Sequence, residues 1–121
     1  MVTKIKAEIQ EKWAAALESG AYQQATGALR KNDAFCCLGV LCDLYQRETG
    51  RGRWDESLFV ASGEKTTLTL PSSVQRWAGV EDENPTIADR GNAICFAAYL
   101  NDNGTSFTEI AQLIRELPSI E

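Results

Sequence analysis

The apolar positions of this chain change period several times, and each change marks an element. Ile5, Ile9, Trp13, Ala16 and Leu17 fall on one helical stripe, which predicts a first helix over residues 3–18. Thr3 is placed to cap it, and Gly20 stops it. Tyr22 to Arg30 alternates loosely and reads as a short strand or extended loop, with Gly27 allowing a bulge or a close backbone approach. Lys31-Asn32-Asp33 is a turn. A second helix follows over residues 34–49. Leu38, Leu41, Cys42 and Tyr45 share one face and Cys37, Val40, Leu41 and Leu44 the adjoining one. A helix apolar over so wide an arc is normally the central one.

Beyond Gly50 the pattern changes. Arg51 to Trp54 reads as a loop. Residues 57–61 and 66–70 read as a β-hairpin joined by Ser62-Gly63-Glu64-Lys65. Pro71 and SSVQRWAG give a short helix ending at Gly79. Residues 80–91 are acidic and polar, contain Pro85 and read as a mobile loop. NAICFAAYL, residues 92–100, reads as a helix by length and alanine content, with a strand as the alternative. Asn101-Asp102-Asn103-Gly104 is a tight turn. Ser106 and Glu109 then form a capping box, opening a last helix with Phe107, Ile110, Ala111 and Ile114 on its buried stripe. The fold class expected is α+β. It is a mainly helical single domain over 1–121, with about five helices and a small antiparallel sheet or hairpin beside the central helix.

Charge narrows the function classes. The net charge is −5 and the pI about 4.8, which argues against general nucleic-acid binding. The last third is more acidic than the rest, with 2 basic and 8 acidic side chains in residues 81–121. That element is either a solvated surface or a face for a basic partner. No run of 18 apolar residues suggests a membrane span, and the charged start is unlike a signal peptide. A cytoplasmic location with reduced cysteines is the expectation.

Three of the four cysteines lie in FCCLGVLCD, residues 35–43. The spacing lacks the paired C-x2-C of a zinc site, and adjacent positions on a helix point about 100° apart. With no histidine in the chain, Ser-His-Asp triads and most zinc enzymes are removed together. No metal, no cofactor and no catalysis are expected. Asp43, Glu48, Asp55, Asp89 and Asp102 could in principle pair as catalytic carboxylates, but nothing singles one out. Cys37, Cys42 and Cys95 read as core. Cys36 stands at the expected start of the second helix, where the dipole would lower its thiol pKa. Trp77 reads as core, and Trp54 as either core or pocket wall.

The arginines are more suggestive. Arg30 and Lys31 precede the central helix; Arg47, Arg51 and Arg53 close it. Free N–H groups at a helix start bind anions, and arginine forks grip phosphate. Arg30 beside Cys36 could therefore hold a phosphate, unless these arginines pair with the surplus carboxylates.

Three blocks carry a resemblance: KWAAALESGAYQQATGALRKNDAFCCLGVLCDLY (residues 12–45), LPSSVQRWAG (70–79) and LNDNGTSFTEIAQLI (100–114). Together they resemble a family of small, mostly uncharacterised accessory proteins of tailed bacteriophages. Members usually carry Gly or Lys near Ala25 and Thr26, where this chain departs. The resemblance implies a phage protein acting in the host cytoplasm against host defence. It would be either a sponge for a nucleotide-derived signal or an inhibitor of a host defence enzyme. Sponges of this kind are usually symmetric oligomers. With the arginines flanking the FCCLG helix, it implies a non-catalytic homo-oligomer that sequesters a phosphate-bearing, cyclic ADP-ribose-like nucleotide. In that reading Arg30 and Arg47 contact phosphate beside Cys36. Gln24, Asn101 and Asp102 read base or ribose, and Trp54 stacks. The alternative is an acidic protein–protein inhibitor whose last third covers a basic surface.

Overall fold

The computed structural model describes residues 2–89 and 94–120. The chain opens with β1 (Ile5–Lys6) and α1 (Ala7–Glu18), then β2 (Gln23–Gln24), β3 (Arg30–Lys31) and β4 (Ala34–Phe35). The central helix α2 (Cys37–Thr49) follows, then β5 (Arg53–Asp55), β6 (Leu58–Ala61), β7 (Glu64–Thr66) and α3 (Ser72–Ala78). The chain continues through β8 (Thr86–Asp89), β9 (Ile94–Phe96), α4 (Ala97–Asp102), α5 (Phe107–Arg115) and β10 (Ser119–Ile120). The fold is α+β, with the sheet divided into several small pieces rather than one.

The first helix starts later than its periodicity suggests. Ile5 and Lys6 instead pair in parallel with Ser119 and Ile120. Lys6 rather than Thr3 occupies the N-cap, and its side chain makes no capping bond. Trp13 and Leu17 are buried as expected, and the Trp13 indole N–H donates to the Cys37 carbonyl at 2.9 Å, tying α1 to the start of α2.

The second helix also starts late. Ala34 and Phe35 form β4, between β2 (parallel) and β3 (antiparallel), and Cys36 becomes the N-cap. Eight of the helix residues are buried, from Cys37 through Tyr45, which confirms its central place. Gly39 makes this possible. A Cβ there would stand 1.8 Å from the Leu29 carbonyl oxygen, so only glycine lets the Leu29 backbone cross the helix. That carbonyl accepts the Cys36 N–H at 3.0 Å, while the Leu29 N–H donates to Thr67 at 2.7 Å. Leu29 thus links α2 to the segment after β7.

The expected hairpin is a three-stranded meander, β5-β6-β7, because residues 53–55 are strand rather than loop. Ser62 (φ 51°) and Gly63 (φ 84°) alone form the turn, the two-residue type that matches strand twist, so Glu64 and Lys65 belong to β7.

Within residues 80–91, expected as a loop, Thr86–Asp89 form a strand antiparallel to Ile94–Phe96. Its Thr86, Ile87 and Ala88 are buried, so packing supplies what local propensity does not. Residues 90–91 lie outside the described residues. Of 92–100, residues 92–93 also lie outside; Ile94–Phe96 are strand and Ala97 onward helix, so both alternatives are realised in part. The last helix is as read: the Ser106 hydroxyl accepts from the Glu109 N–H at 3.2 Å, and Phe107, Ile110, Ala111 and Ile114 are buried. No helix among the described residues is long and apolar enough to cross a membrane.

Candidate functional site

The start of α2 is closed. The Cys36 sulfur accepts the Gly39 N–H at 3.4 Å, and the Cys37 N–H donates to the Asn101 side-chain oxygen at 3.1 Å. Asn101 is 1% exposed. The same oxygen accepts from Gln24 Nε2 at 2.9 Å. Its amide nitrogen donates to the Ala25 carbonyl at 2.7 Å and to Asp102 Oδ1 at 3.1 Å. An amide has two donors and two acceptor sites, so Asn101 is fully used. Gln24 continues the chain of bonds, donating to the Thr105 carbonyl and accepting from the Phe107 N–H, while Asp102 accepts the Gly27 N–H.

Gln24, Cys36, Asn101 and Asp102 are therefore brought together as expected, but they face each other. Asn101 has no capacity left for a base or ribose, and the helix end meets protein where an anion was expected. The thiol expectation is corrected too. Burial pushes Cys36 up to about 11, outweighing the N–H groups of Gly39 and Leu38 that favour the thiolate. Burial likewise holds Cys37 and Cys42 well above the ordinary thiol range.

Two of the other three candidates, Arg47 and Trp54, meet at Asp43, on the next turns of α2, and Arg30 lies over the Trp54 ring beside them. This carboxylate is 6% exposed and accepts from three sides: the Tyr22 hydroxyl at 2.6 Å, Arg47 Nε at 2.9 Å and the Trp54 indole at 3.1 Å. Charge-assisted bonds of this number hold a buried carboxylate in place. Burial first and Asp43 second raise the Tyr22 hydroxyl well above its ordinary pKa. Arg47 thus gives its Nε–H to Asp43, and its remaining guanidinium donors stay on a 71% exposed side chain. Trp54 is half-buried, edge-on to Phe35 at 5.6 Å and to Phe59 at 4.9 Å. The Arg30 guanidinium stands 5.8 Å from the Phe35 ring centre and 5.6 Å from that of Trp54, a cation–π arrangement that fixes its plane.

Arg30 also borders a surface groove of about 670 Å³, lined with Lys31, Asn32, Asp33, Glu56 and Ser57. Arg30 Nε donates to the Asn32 carbonyl at 2.8 Å, and Asp33 lies 3.9 Å from the guanidinium but is fully exposed, so that pair is weak. Most of the five guanidinium donors remain for a ligand. The residue that sequence reasoning missed is Asp43 as the organiser. Its signal was an acid four residues before Arg47 on a helix otherwise apolar on that side.

Fold and groove define a small α+β domain with a surface depression edged by two cations, Arg30 and Lys31, and two acids, Asp33 and Glu56. Among the described residues no cluster of histidine, cysteine or carboxylates could hold a metal. The chain belongs to the family of a domain of unknown function, DUF8296, whose model matches residues 5–117. No curated protein and no solved structure shows a significant match to the chain.

Proposed function

We propose that this protein is a non-catalytic binding protein that sequesters a phosphate-bearing, nucleotide-derived signal in the groove beside Arg30. The observation that carries the reading is the Arg30 guanidinium, oriented by Phe35 and Trp54 at the edge of a groove that also borders Lys31. A guanidinium already held on aromatic faces loses less freedom when it grips a phosphate. The groove volume lies within the range of small-molecule sites. The inert, raised Cys36 thiol supports binding over nucleophilic chemistry. A phage origin, a place in the host cytoplasm, a role against host defence and a symmetric oligomer complete the reading and rest on the resemblance of the three blocks. Calorimetric titration with a panel of cyclic ADP-ribose-like and linear nucleotides tests it. Heat from at least one of them, reduced in Arg30→Ala, is expected; silence across the panel sinks the reading.

The second reading, an acidic inhibitor of a host enzyme, is favoured by one observation: Glu81, Asp82 and Glu83 are consecutive and all exposed. Charge reversal at these three positions removes inhibition in that case and leaves nucleotide binding unchanged in the first.

A further inference from the structure

A second pocket, sharing no residue with the groove, lies where the C-terminal end of α2 meets the β6–β7 turn and α3. It is about 410 Å³, and its walls include Tyr45, Arg51, Ser62, Ser73, Arg76 and Trp77. No acidic residue lines it. Arg51 and Arg76 are exposed, and neither side chain makes a hydrogen bond or ion pair among the described residues. Trp77, expected as core from the sequence, is only half-buried there, its ring edge-on to Tyr45 at 5.5 Å. Ser73, in the pocket wall and 8% exposed, is with Thr66 one of two sealed side-chain hydroxyls without a partner among the described residues. Buried hydroxyls normally find a partner, and an orphan calls for an explanation.

We propose that this pocket binds a phosphate monoester carried next to a planar ring, on the scale of a single nucleotide. The arginine forks take the phosphate oxygens, as paired guanidinium groups do. Trp77 offers its face to the ring, a contact every base tolerates. Rotation of Ser73 about χ1 gives its hydroxyl the partner it lacks. The site does not depend on the groove beside Arg30, and either can fail alone.

The test uses the full chain with adenosine 5′-monophosphate, phenyl phosphate, adenosine and inorganic phosphate. Calorimetry is run beside tryptophan emission in a Trp54→Phe background, which removes the indole beside the groove and leaves Trp77 with the fully buried Trp13 as a constant background. Both phosphate esters are expected to bind and change Trp77 emission, with adenosine and inorganic phosphate each weaker. Arg51→Ala and Arg76→Ala each lose roughly 10-fold or more in affinity, the scale of a charge-assisted hydrogen bond. Both side chains are exposed, so these variants fold, which circular dichroism verifies. Ser73→Ala weakens the esters, and Arg30→Ala leaves them unchanged. Three results overturn the proposal: no heat from either ester, affinity indifferent to both arginines, or binding lost in Arg30→Ala, which puts the ligand in the groove.

Discussion

Gly39 shows how one residue sets the frame for the rest. The Leu29 carbonyl occupies the space a side chain would need, 1.8 Å from an ideal Cβ. Gly39→Ala must push the Leu29 backbone off α2, break the Cys36–Leu29 bond and loosen the Phe35–Arg30 stack next to it. The expected cost is about 3 kcal/mol or more, at the upper end of overpacking, read as a fall in the urea midpoint. Cys36 makes a second prediction. Its folded pKa is raised from the ordinary 9.0 to about 11, so the unfolded thiol ionises first. Its contribution to stability is whole below pH 9 and is lost as pH rises to about 11, a loss of ~3 kcal/mol across that window. Cys37 and Cys42 act in the same direction. Unfolding free energy measured from pH 8 to 11 should fall steadily in the native chain and less steeply in Cys36→Ala. Equal slopes would refute the assignment. The place of Cys36 at a helix start was legible, because capping follows local spacing. Its inertness was not, because burial depends on Asn101 and Leu29 arriving from elsewhere in the chain.

At the scale of elements, α1 and α5 form the largest helix pair, and one side chain stitches it. Gln10 Nε2 donates to the carbonyls of Ile114 at 2.7 Å and Leu117 at 2.9 Å, with Arg115 at 3.3 Å. The Ile114 carbonyl also accepts the Leu117 N–H at 3.1 Å, so Gln10 adds to a local bond there and reaches the Arg115 and Leu117 carbonyls from the neighbouring helix. Arg115 adds ion pairs to Glu11 and Glu18 on α1. Gln10→Ala removes this donor from the Arg115 and Leu117 carbonyls, leaves Ile114 only the Leu117 N–H, and should cost about 1–2 kcal/mol. Gln10→Glu should cost more, since it sets a carboxylate against carbonyl oxygens. Thermal unfolding of the two variants orders them, and the reverse order would exclude the capping role. The legible elements are those with internal signals: α5 with its capping box, α2 with its apolar arc and β6 within its expected 57–61, whereas the β-branched residues 66–70 fall almost wholly outside β7. The two-residue strands β1, β4 and β10 carry no such signal, and β2 is only a fragment of the loosely alternating Tyr22–Arg30 stretch. Each exists only because a distant partner supplies its hydrogen bonds, as Ser119 does for Ile5. The same holds for β8, where polar surroundings hid three buried residues.

For the whole molecule, the question is how a chain of net charge −5 would hold an anion. Long-range charge opposes approach, so affinity must come from short contacts made by a few fixed cations. That distinguishes a pocket from a basic surface. A diffuse basic patch loses affinity steeply with salt, because many screened pairs contribute. A ligand held by one or two oriented guanidinium groups loses much less, and for an acidic protein added salt also screens the opposing net charge. The expectation is therefore a nearly salt-independent dissociation constant between 50 and 300 mM sodium chloride, with the association rate unchanged or rising. Binding also stabilises the fold by linkage, ~2.7 kcal/mol at a ligand concentration about 100 times the dissociation constant. Thermal shifts recorded across that salt series, for the native chain, Arg30→Ala and the Arg51→Ala/Arg76→Ala pair, then separate three cases. A shift lost only in Arg30→Ala belongs to the groove; one lost only in the pair belongs to the second pocket. A shift that collapses with salt in every variant would mean diffuse attraction, and neither site would survive it.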